Sequence, residues 1–165
     1  MQMPAPQVSV KRTKLEMLFG VFETFHTALA EVPDPMARKL CENWSAVRGN
    51  YLNPPQGIRP SQLASGLEQG LLETPMFAAA MAQPHRAQAE QALLQALKAE
   101  YPSFLSSQKA RLSKIISRGR INSESEFMLV RHAVDVAEGN QDEAGELQNL
   151  YILLDQFEAR GARGV

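Results

Sequence analysis

Leu15, Leu18, Phe19, Phe22, Phe25 and Leu29 recur at steps of three and four residues, and no stretch of the chain alternates apolar and polar side chains. Steps of that size return a side chain to one face of a helix, whereas a half-buried strand needs period two. The same spacing comes back in Met36, Leu40, Trp44 and Val47, and again in Leu93, Leu94, Leu97 and Tyr101. Further along, Leu105, Leu112, Ile115 and Ile116 repeat it, then Phe127, Val130, Val134 and Ala137, and finally Leu147, Leu150, Tyr151, Leu154 and Phe157. An all-α fold is therefore expected: a single-domain bundle of seven or eight helices over residues 11–165, behind a flexible tail over residues 1–10. A chain of 165 residues can support one core, because folding at this size buries roughly 70% of the extended surface.

Prolines mark the expected boundaries. Pro33 should close a first helix running from Lys11 to about Val32, and Pro35 can open the second at its first position. The run RGNYLNPPQGIRP, residues 48–60, holds three prolines and two glycines and reads as the one long loop, a candidate subdomain boundary. Ser61 is expected to cap a short helix through Leu72, with Thr74-Pro75 starting another. Pro84 should kink that helix or open the next, and Pro102-Ser103 should break and recap the chain.

RLSKIISRGRINSESEFMLVRHAVD, residues 111–135, contains a basic helix, a break and an acidic restart. Gly119 stands where a left-handed C-terminal residue belongs, with Arg118 placed to favour the helix dipole. Ser123 and Glu126 match a capping box. Gly139 should end that helix, and the short turn Asn140-Gln141 should fold residues 122–159 into a C-terminal antiparallel hairpin. Residues 119–161, GRINSESEFMLVRHAVDVAEGNQDEAGELQNLYILLDQFEARG, resemble the helical preface before the DNA-binding domain of HigA-type antitoxins. The likeness rests on an isoleucine, a short cap, an acidic-aromatic helix start and a second helix ending in Phe-Glu. It implies a helical hairpin over about a quarter of the chain. That family's helix-turn-helix would begin at Val165, so DNA binding is not carried over with the resemblance.

Charge narrows the function classes. The net charge of −1 gives no global attraction to nucleic acid or an anionic membrane. Locally, Lys109, Arg111, Lys114, Arg118 and Arg120 form a basic run, and Arg111, Lys114 and Arg118 share a face that could track phosphates. Residues 121–158 carry nine acids against one base, so the neighbouring segment should neutralise that run and repel a polyanion. His26, His85 and His132 lie far apart, without metal-ligand spacing, and no Gly-rich phosphate loop occurs. No metal and no cofactor are expected, and the reading leans against an enzyme. Cys41 is the only cysteine, which fits a reducing compartment. The N-terminus lacks a secretory pattern because Glu16 and Glu23 interrupt its apolar run, and no segment is long enough to span a bilayer.

The expectation is thus a cytoplasmic, non-enzymatic helical protein acting through protein–protein contact, with an unidentified partner. Its candidate interaction surface comprises Trp44, Arg48, Tyr51, Met76, Phe77 and Met81, residue types common in hot spots and adaptable interfaces. A homodimer is a candidate assembly if the core leaves Leu93, Leu94, Leu97, Met76, Phe77 and Met81 uncovered. The alternative is a nucleic-acid-associated regulator using the basic face 109–120, and the third reading a small enzyme or ligand-binding protein. Replacing the cap in Ser123→Ala should lower stability by about 0.5–2 kcal/mol, as read from urea denaturation; an unchanged midpoint would show that the cap contributes nothing.

Overall fold

Seven helices make up the described residues, 11–138 and 144–163, of the computed structural model: α1 (Lys14–Leu29), α2 (Pro35–Leu52), α3 (Pro60–Ala79), α4 (His85–Glu100), α5 (Phe104–Arg118), α6 (Glu124–Glu138) and α7 (Ala144–Arg163). No strand occurs among these residues, as the period near 3.6 demands. The expected tail over 1–10 and the turn at Gly139, Asn140 and Gln141 lie outside the described residues.

Local chemistry explains most of the boundaries. Thr13 caps α1, accepting from the Glu16 N–H while the Glu16 carboxylate accepts from the Thr13 N–H, so two helix-end donors are satisfied. Asp34 caps α2 by accepting from the Met36 and Ala37 N–H groups, with Pro35 as the first helical residue. α2 continues to Leu52, so the expected loop over 48–60 shrinks to residues 53–59. Tyr51 stacks on Trp44 from this extra turn, which gives the turn a packing partner.

Two expectations fail in α3. Ser61 is not its cap: Pro60 takes the first position, and the Gln62 side chain accepts from the Arg59 N–H. Nor does a new helix begin at Thr74-Pro75, because α3 runs unbroken through both. Pro75 has no N–H to offer the carbonyl four residues back. Thr74 turns its hydroxyl onto the Gly70 carbonyl at 2.8 Å, and packing on both flanks holds the helix together. Beyond α3 the Gln83–Pro84 peptide is cis, and α4 starts at His85.

The corner after α5 follows its sequence closely. Gly119 adopts φ +74 and donates to the Ile115 and Ile116 carbonyls. Ser123 accepts from the Glu126 N–H at 3.2 Å, but the Glu126 carboxylate reaches the Asn122 N–H and Arg118 instead of closing the box on Ser123. Ile115 and Val130 are fully buried, Phe127 is half-buried, and Ile116 stays 38% exposed.

The apolar stripes collect into two cores. In the first, α1 packs on α2, α3 and α4 around Leu18, Val21, Phe25, Leu29, Leu67 and Leu97, and Phe104 of α5 joins them. In the second, Ile115, Ile121, Leu129, Val130, Leu150 and Leu154 gather from α5, α6, α7 and the turn after α5. Phe127 early on α6 stacks with Phe157 late on α7, whereas Glu138 at the end of α6 accepts from the Tyr151 hydroxyl. Early residues meet late ones, the order of two helices lying antiparallel.

Leu72 of α3 touches both cores. One turn before it, the buried carboxylate of Glu68 pairs with Lys14 of α1 and with Arg111 of α5, the latter at 3.4 Å. Arg111 also donates to Ser125 of α6 at 2.9 Å. Glu68→Ala should therefore cost about 1–3 kcal/mol, measured by urea denaturation. A loss near zero would mean that apolar contact alone joins the two groups of helices.

Candidate functional site

The expected interaction surface divides sharply. Trp44 is 6% exposed, sandwiched among Phe19, Phe22, His26 and Tyr51 with ring centroids 5.0–5.8 Å apart. It anchors the first core, because an aromatic residue on the α1-facing stripe of α2 buries a large area there. Met81 is 1% exposed and is likewise core. Leu93 and Leu97 are buried and Leu94 half-buried, so they do not form the uncovered face on which a homodimer was expected to rest. Arg48 pairs with Glu23 at 2.6 Å, Tyr51 is half-buried, and Phe77 is half-buried. Met76, 59% exposed, is the one residue of the set that stands well out in solvent.

The basic run is partly committed. Arg111 is held by Glu68 and Ser125, and Arg118 pairs with Glu126 while donating to the Arg120 carbonyl. Lys109, Lys114 and Arg120 are exposed and make no ion pair among the described residues. Two of the three side chains that were to share a phosphate-tracking face are thus engaged within the chain.

Helices α3 and α6 lie side by side, and their seam has two unlike flanks. On one flank a deep cleft of about 370 Å³ opens between the two cores. Its walls come from five helices: Leu72 and Pro75 of α3, Leu97 of α4, Leu112 of α5, Ala133 of α6 and Leu150 of α7 are representative. Leu105 and Ile116 form an exposed apolar lip on α5. The polar members are Gln108, Lys109, His132 and Glu146.

On the other flank runs a shallower groove. Gln69, Leu72, Glu73 and Met76 supply the α3 side, and Phe127, Met128, Arg131 and Asp135 the α6 side. It continues towards the helix starts past Ser65, Glu68 and Glu124. Positions 65, 69, 72 and 76 of α3 share one face over three turns, so the groove is about 16 Å long at 1.5 Å per residue. Glu73, Glu124 and Asp135 form no ion pair among the described residues, and Arg131 is the one cation among the lining side chains.

The histidines do not converge. His26 donates from Nδ1 to the Phe22 carbonyl at 2.7 Å, inside the aromatic stack. His85 faces Asp34 at 3.5 Å, and His132 lies between cleft and groove. Among the described residues no three His, Cys, Asp or Glu side chains gather as a metal site, and no helix is long and apolar enough to cross a membrane. Burial raises the Cys41 thiol above its ordinary pKa, which works against a reactive thiolate.

Compared with protein-family models, curated proteins and solved structures, the chain matches none of them. Function must therefore be argued from the seam itself.

Sequence periodicity could not have found this site. Leu72, Leu112, Ala133 and Leu150 belong to four different helices, and only their packing brings them together. The signal that was available is the surplus of apolar side chains on α5, where Leu105, Leu112 and Ile116 form a stripe next to the buried Ile115.

Burial lowers the pKa of His26, against the backbone bond to Phe22 and the charge of Glu23, which both favour the cation. Burial likewise lowers that of His132, against Asp135. A group depressed in the folded state contributes stability above its unfolded pKa and loses it as pH falls. Stability should thus decline as pH drops from about 7 to about 5. His26→Phe combined with His132→Phe should flatten that decline in urea titrations. An equally steep decline in the double variant would assign it to other groups.

Proposed function

We propose that this protein is a non-enzymatic adaptor or regulator that captures a basic amphipathic helix of a partner protein along the α3–α6 groove. The observation that carries the reading is an apolar lining of Leu72, Met76, Phe127 and Met128 edged by Glu73, Glu124 and Asp135, carboxylates that form no ion pair among the described residues. Methionine side chains adapt to varied apolar shapes, and a groove of this length accommodates about three turns of helix. The excess acid over residues 121–158, nine acids to one base, favours a cationic occupant approaching from solvent. Lys14 and Arg111, the cations at the near end, are engaged by Glu68.

The nucleic-acid reading draws less support. Arg111 and Arg118 are engaged by Glu68 and Glu126, which leaves Lys109, Lys114 and Arg120 as the exposed cations of the run without an ion pair among the described residues. The enzyme reading draws none: among the described residues the polar members of the cleft, Gln108, Lys109, His132 and Glu146, form no acid–base pair in contact.

A fourteen-residue amphipathic peptide of leucine and lysine, labelled for fluorescence anisotropy, should bind in the micromolar range and weaken as salt rises. Glu73→Lys combined with Asp135→Lys, both away from the cores, should reduce its affinity at least about tenfold, or 1.4 kcal/mol. Equal binding of a leucine–glutamate peptide, or no loss in the double variant, would overturn the groove as a basic-helix site.

A further inference from the structure

The deep cleft on the opposite flank of the seam carries a second reading, resting on walls that the groove shares only at Leu72 and His132. Its volume of about 370 Å³ falls within the ~300–1,000 Å³ of small-molecule sites. It penetrates between the two cores: Leu71, Leu93, Phe104, Leu129 and Leu150 all line it, and each is less than 10% exposed. Such depth suits a slender molecule entering between helices rather than a helix lying across a surface. Water held against this lining makes few hydrogen bonds, and an apolar ligand would release it.

The polar groups define what the ligand's head must be. Lys109 of α5 and Glu146 in the first turn of α7 are both exposed, both line the cleft and do not pair with one another. One cation and one anion facing the same opening cancel, so a charged head group gains from one and is opposed by the other. Gln108 and His132 add groups that can donate or accept a hydrogen bond without bringing a formal charge. An uncharged head that both donates and accepts, such as a hydroxyl, can hydrogen-bond with any of these groups without opposing the charge of another.

We infer that the cleft between the α1–α4 and α5–α7 groups is a binding site for an uncharged lipophilic molecule with a small hydroxyl-type head and a slender apolar body. The two buried cores form its walls, and Lys109 with Glu146 selects against charged analogues. The cleft shares Leu72 and His132 with the groove, but Lys109, Glu146 and Ala133 belong to the cleft alone and Glu73 and Asp135 to the groove alone, so variants at those positions test the two readings apart.

Decanol, decanoate and decylamine have the same chain and differ in the charge of the head, and isothermal titration of the full chain with each tests the assignment. Decanol should bind, and the two ions should bind at least about tenfold more weakly. Glu146→Gln should then raise affinity for decanoate, and Lys109→Gln that for decylamine, severalfold in each case. Both changes are on exposed side chains and leave the cores intact. Ala133→Leu, which extends into the open space, should abolish decanol binding while circular dichroism still reports a folded helical protein. Failure of decanol to bind at its solubility limit would overturn the proposal. So would equal binding of all three compounds, or decanol binding that persists in Ala133→Leu. Should that variant fail to fold, the paired charge variants decide: preferences for decanoate and decylamine that do not move would overturn it equally.

Discussion

The rest of this structure depends on how two separately cored groups of helices are held face to face, and among the described residues the ion pair that spans them is Glu68 with Arg111. Apolar burial is non-directional and fixes little about which faces meet. A carboxylate at 7% exposure that pairs with Lys14 within its own group and with Arg111 of α5 is directional, because Arg111 must reach one particular point on α3. Arg111 then carries the constraint on to α6 through Ser125. Leu72, one turn further along the same face, sets the apolar contact beside the ionic one.

This arrangement also bears on electrostatics elsewhere. Arg111, one of the three side chains on the face that could track phosphates, is held in the seam by Glu68 and Ser125. Arg118 is withdrawn by the same logic, held by a Glu126 carboxylate that also accepts from the Asn122 N–H. That carboxylate lies below its ordinary pKa: desolvation opposes the shift, but the Asn122 N–H and Arg118 together outweigh it. A basic stretch followed by an acidic one can thus be the two halves of an internal contact.

Much of the fold was legible because each helix carries its own stripe. Gly119 could be read as a left-handed terminus, and Ser123 as a cap, since those requirements are local. Thr74-Pro75 lies inside α3 and does not start a helix, because a proline favoured at a helix start is also tolerated within a helix whose flanks are packed, and sequence does not show the flanks. Trp44 and Met81 were placed among surface candidates because residue type alone does not distinguish a hot spot from a core anchor. Hardest to foresee are the groove, which exists only where α3 meets α6, and the cleft, whose walls need five helices. Of the groove, only Met76 had been singled out beforehand.

Trp44 has a consequence for anyone observing this protein with light. It is the chain's single tryptophan and it lies wholly within the first core, stacked against His26 at 5.4 Å. Its emission therefore registers the solvent and ring contacts of α1 and α2 and is blind to α5, α6 and α7. Far-ultraviolet dichroism weighs all seven helices alike. The two signals are windows onto different parts of the molecule, and any lag between them on unfolding measures how firmly one half is coupled to the other.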